Sequence, residues 1–185
     1  MDVGSSPLET RRLLLYSGVA ISLFVTFVIE AAGGARLGPL LRAVIFVAGS
    51  RLGEGIWGLP TRPGFHRRMA WIAVWMIPLG LALSGLWPQY RVPALHVMFI
   101  GGFSTLVFAV VTHVSLGHLG LESLMSGCPR SVILLAAGLT LALASRLAAD
   151  VSHTYFAHLG WAAACWIAGS TAWLAALAPR LWRRR

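Results

Sequence analysis

Five stretches of this chain, at about residues 12–32, 69–88, 93–116, 130–149 and 156–178, are apolar over roughly 20 residues with no more than two charges in any of them. About 20 apolar residues is the length an α-helix needs to cross the hydrocarbon core of a bilayer. Backbone N–H and C=O groups find no water there, so a spanning run must satisfy them within its own helix. Composition points the same way. Hydrophobic residues make up 57% of the 185 and charged ones 11%, where a soluble domain has about 25% charged, and the mean hydropathy is +0.76. The chain reads as an all-α, polytopic membrane protein.

How often it crosses depends on residues 37–57, LGPLLRAVIFVAGSRLGEGIW, which hold Arg42, Arg51 and Glu54. Cytoplasmic loops of membrane proteins carry excess basic residues. If 37–57 spans, Arg11, Arg12, Arg62, Arg67, Arg68, Arg130, Arg180 and Arg183 to Arg185 share one face, and only Arg36, Arg91 and Arg146 reach the other. If it does not span, the basic 62–68 loop and the C-terminal arginines fall outside. The better solution is a six-transmembrane-helix bundle in one integral domain, residues 1–185, with both termini cytoplasmic, in a bacterial inner membrane. Trp57, Trp71 and Trp182 then lie at the inner interface and Trp87 and Trp161 at the outer one, where tryptophan is favoured. Arg42 is expected to snorkel to the headgroups near the outer end of helix 2. Arg51 and Glu54, three apart, are spaced for an ion pair on one helix face.

The net charge of +9, all from arginine, falls between apolar runs rather than on one solvated face. It therefore reads as a topology signal and not as a nucleic-acid surface. Two cysteines, Cys128 and Cys165, exclude a disulfide framework and any four-cysteine metal site. Arg11 and Arg12 before an apolar run of 17 residues resemble a signal peptide, but the run exceeds the usual 7–15 residues, so it is taken as the first span. Glu54 is the only acid well within a span, which argues against proton pumping.

Histidines carry the chemistry. On the six-helix topology His96, His153 and His158 lie at the outer face, and His66, His113 and His118 at the inner one. Along one helix His96 and His113 are about 25 Å apart, too far to share a metal. Imidazoles from facing helices at one depth suit haem, and imidazole also suits copper. Gly101 and Gly102, one to two turns from His96, would let a macrocycle edge approach backbone, or simply let helices pack. Arg146 is placed to pair with Asp150, four residues on, or to neutralise a haem propionate. His66, beside Arg67 and Arg68, reads as an interfacial histidine.

The stretch ALHVMFIGGFSTLVFAVVTHVSLGHLG, residues 94–120, resembles the signature of the NnrS family: a histidine opening a helix, a glycine-bearing stretch, then MTR-x-x-LGHTG. His96, Gly101 or Gly102, Thr112, Leu116, Gly117, His118 and Gly120 match. His113 stands where the family usually has arginine, and Leu119 where it has threonine. The resemblance implies a bacterial membrane protein containing haem and copper and linked to nitric oxide stress. It corresponds to the C-terminal half of the twelve-helix family members, which implies a homodimer or a partner in a larger membrane redox complex. Cofactor-binding residues are then His96, His158, Gly101, Gly102 and Arg146, for one or two haem b groups. His113 and His118 join His96 and His158 as metal candidates, with copper as the second metal. The expected role is redox or gas-ligand chemistry, in nitric oxide response or in electron transfer within a respiratory assembly. Two rival readings are a cofactor-free accessory subunit and a metal or small-solute carrier.

Overall fold

The computed structural model describes residues 7–52 and 58–182. Among them every regular element is helical. In chain order these are α1 (Pro7–Ala31), α2 (Leu37–Leu52), α3 (Phe65–Leu86), a 3₁₀ turn (Pro88–Tyr90), α4 (Arg91–His96), a π-helical segment (Val97–Ser104), α5 (Thr105–His118), the short α6 (Glu122–Ser126), α7 (Arg130–Ala149) and α8 (Tyr155–Trp182). Five stretches are long and apolar enough to span a membrane: Glu9–Ala31, Phe65–Leu86, Pro88–His118, Glu122–Ala149 and Tyr155–Trp182. These correspond to the five apolar runs of the sequence, with ends shifted by up to eight residues where α6 extends the fourth. The 16 residues of α2 rise about 24 Å, and Glu54 and Trp57 lie outside the described residues, as do Arg183 to Arg185.

Successive helices run up and down, so the bundle has a basic end, with Arg62, Arg67, Arg68, Arg130 and Arg180, and an opposite end, with Arg36, Arg91 and Arg146. α3 is central. It packs against α2 on one side and against α4, the π segment and α5 on the other. Contact with the π segment is backbone to backbone: a β-carbon on Gly80 would lie 2.6 Å from the Met98 N and 2.8 Å from the Ala94 O. α7 and α8 form the most extensive helix pair, brought together at Gly138 and Gly169, where a β-carbon on Gly138 would meet the Gly169 Cα at 2.9 Å. Small residues allow such approach, and in lipid van der Waals packing of this kind drives helix association.

The main core gathers Met69 of α3, Ala109 and Leu116 of α5, Leu135 and Leu139 of α7, and Trp173 and Leu177 of α8. Trp173 donates Nε1–H to the Thr112 Oγ1 at 2.9 Å, and Thr112 in turn donates to the Phe108 carbonyl at 2.7 Å. This polar thread ties α8 to α5 where no water competes.

α1 is different. Its outward residues Leu13, Leu14, Ile21, Phe24 and Phe27 are exposed, and Thr26 is buried at 2%. Gly33, at φ 102°, makes the turn into α2 in a backbone region that side-chain-bearing residues avoid. The anchor is Glu30, which forms ion pairs with Arg42 of α2 and Arg91 of α4. The expected snorkelling of Arg42 is thereby corrected. Its side chain is buried, stacked 4.1 Å above the centre of the Phe27 ring and turned to the Glu30 carboxylate of the neighbouring helix.

Candidate functional site

The opposite end holds a connected polar network built on the last turn of α7. Arg146 is buried, at 7% exposure. It donates to the Asp150 Oδ2 at 2.9 Å, to the His96 Nε2 at 3.3 Å and to the Tyr155 hydroxyl at 3.4 Å. Four residues of helical rise put Asp150 directly above Arg146 on one face, so the charge is paired on its own helix and shared with α4 and α8.

The donors fix a tautomer. Guanidinium has only N–H groups and no acceptor, so the His96 Nε2 must supply a lone pair. Its proton then sits on Nδ1, which donates to the Val92 carbonyl at 2.8 Å. His158 has the same polarity. The Ser145 hydroxyl gives its one proton to the His158 carbonyl at 2.8 Å, so the ring Nδ1, 3.3 Å from the Ser145 Oγ, donates to that hydroxyl oxygen and Nε2 is unprotonated. Metal-bound histidines show this arrangement, with one nitrogen donating to a carbonyl or other acceptor and the other on the metal. Two imidazoles of the required tautomer are therefore anchored to the consecutive α7 residues Ser145 and Arg146. At the same end an apolar cleft of about 270 Å³ is lined by Trp87, Tyr90, Ala94, Val97, Leu147 and Asp150, with Asp150 the one member of the polar network that reaches it. What this end offers a haem is the donor set, an unprotonated His158 Nε2 and a buried arginine suited to a carboxylate; the cleft itself is lined by neither histidine.

His96 and His158 each hydrogen-bond to α7. His153 is exposed in the turn between α7 and α8. Gly102 faces α3, where a β-carbon would lie 2.7 Å from the Ile77 Cγ1. Gly101 faces a second slot, between α3 and α7.

At the basic end the structure pairs His113 with His66. The His66 Nε2 and the His113 Nδ1 are 3.1 Å apart, with ring centroids at 5.3 Å and planes tilted by 33°. One ring donates and the other accepts. His66 is 1% exposed, which corrects its reading as an interfacial histidine. Local sequence hid this, because the neighbouring Arg67 and Arg68 suggest solvent while His66 points across to α5. The signal that was available is its depth, at the same end as His113. His118 lies exposed at the end of α5. Among the described residues no three His, Cys, Asp or Glu side chains gather as a metal cage.

A family model described as NnrS protein matches residues 5–185, which takes in essentially the whole chain and not only the 94–120 signature. No curated protein and no solved structure matches.

Proposed function

The chain belongs to the NnrS family, and on that premise we propose that it is a haem-binding membrane protein with a redox or gas-ligand role. Membership supports the coarser statement, an NnrS-like membrane protein associated with the nitric oxide response. The finer reading rests on one observation, two imidazoles whose Nδ1 atoms are both engaged by protein acceptors, leaving the His158 Nε2 lone pair open and that of His96 held only by Arg146. In this reading His96 and His158 would hold the haem iron, Arg146 would neutralise a haem carboxylate, and Asp150 would keep Arg146 in place. Gly101 and Gly102 thin the helix below His96. His113 and His118 serve a second haem or a copper at the basic end. Bound haem supplies a redox couple, with electron transfer favoured when both axial positions are filled and diatomic-ligand binding when one is open. Both termini face the cytoplasm of a bacterial inner membrane, and the chain pairs with a second copy or with a larger respiratory assembly.

The competing reading, a cofactor-free accessory subunit, draws on the same network, since Arg146 already satisfies the His96 Nε2. A visible spectrum of detergent-purified protein from haem-replete cells, with pyridine haemochrome quantitation, separates the two. We expect a b-type spectrum at about one haem per chain, lost in His96→Ala and altered in His158→Ala. Folded, colourless protein would leave the accessory subunit standing.

A further inference from the structure

Away from the histidines, a slot of about 310 Å³ runs between α3 and α7. On α3 it is lined by Phe65, Arg68, Met69, Ile72 and Met76, spaced 3, 1, 3 and 4 residues apart, which is one face of a helix over about 16 Å of rise. On α7 the lining residues Ala136, Leu139, Thr140 and Leu143 repeat the same spacing. Gly101 and Thr105 close it from the third side. Towards the middle of the bundle it narrows: a β-carbon on Gly101 would already lie 3.3 Å from both the Met76 Cγ and the Leu143 Cδ2. Its Phe65 and Arg68 end lies at the basic end of the bundle.

We propose that this slot binds the acyl chain of an anionic phospholipid from the leaflet at the basic end, with the lipid phosphate on Arg68. Charge selects the headgroup. The Arg68 side chain is exposed and makes no ion pair or hydrogen bond among the described residues, whereas neighbouring Arg67 is tied to the Pro63 carbonyl at 2.8 Å and lines a separate cleft with Glu122. A basic group at the headgroup level of an anionic leaflet contributes about 1 kcal/mol, or roughly fivefold in affinity. Shape selects the tail. A helix is about 10–12 Å across with its side chains, too wide for a slot that a single β-carbon bridges at its inner end. A second copy of the chain therefore does not enter it, and a lone hydrocarbon chain does.

Native mass spectrometry of the detergent-solubilised protein, delipidated and then titrated with phosphatidylglycerol or phosphatidylcholine of identical acyl chains, tests this. One phosphatidylglycerol per chain is expected to be retained about fivefold better than phosphatidylcholine. Arg68→Ala should abolish that preference and Arg68→Lys keep most of it. Arg67→Ala, which removes the same charge outside the slot, should leave it unchanged. Thr140→Phe, filling the slot from its exposed rim, should weaken both lipids alike. Equal retention of the two lipids, equal effects of Arg67→Ala and Arg68→Ala, or no effect of Thr140→Phe would each overturn the proposal. So would recovery of a neutral isoprenoid in place of phospholipid from the undelipidated protein.

Discussion

Arg146 serves three acceptors from inside the bundle, and its burial makes the loss of each partner unequal. Removing Asp150 leaves a buried guanidinium with only neutral partners, whereas removing Arg146 leaves a carboxylate whose side chain is still 24% exposed. Asp150→Ala should therefore destabilise the protein by about 1.5–3 kcal/mol, the range for a charge-assisted hydrogen bond. Arg146→Met, which keeps the bulk and deletes the charge, should cost less. Thermal unfolding of both variants in one detergent checks the order, and the reverse order would mean that Arg146 is held chiefly by His96 and Tyr155. The Arg146–Asp150 contact was legible in the sequence, because four-residue spacing on a helix is local information. The pairing of Arg42 with Glu30 was not, because it joins two helices, and nothing in the apolar run around Glu30 says which neighbour it faces. His66 was hidden for the same reason.

Helices were the most legible scale. Lipid forces the backbone of each apolar run into one form, so hydropathy located all five long helices, though not every end. What hydropathy does not encode is how closely they pack. Gly138 and Gly18 look alike in sequence, yet a β-carbon on Gly18 meets nothing within 4 Å while one on Gly138 strikes the Cys165 carbonyl at 2.7 Å. Gly138→Val should cost about 1–3 kcal/mol, the usual penalty of overpacking, and Gly18→Ala should be neutral or slightly stabilising. Thermal unfolding of the pair reads this directly, and comparable effects would mean that α7 and α8 pack otherwise. The π segment was equally invisible, since the run through Gly101 and Gly102 is apolar throughout. Wide turns of this kind occur often at functional sites. Here one separates the His96 end of the helix from the His113 end.

For the molecule as a whole, the arginine distribution makes a prediction that the helices alone do not. Five long helices would put the termini on opposite sides of the membrane, whereas six put them on the same side. Reporter fusions at each end, read separately in cells, should place both termini with Arg62, Arg67 and Arg68. Cys128, exposed at the basic end, should be labelled by an impermeant thiol reagent only from that side. Termini on opposite sides would mean that the 37–57 stretch turns back without crossing.

Glu30 has a consequence in time as well as in space. α1 enters the membrane first, and with so little of its surface buried it has almost nothing to hold until its carboxylate finds a partner. Arg42 arrives soon afterwards, but Arg91 is synthesised only 61 residues after Glu30, about 3–12 s at usual elongation rates. During that interval α1 has only α2 to rest on, with Arg42 the one partner of its carboxylate already made. Its second anchor therefore arrives two helices after its own sequence does.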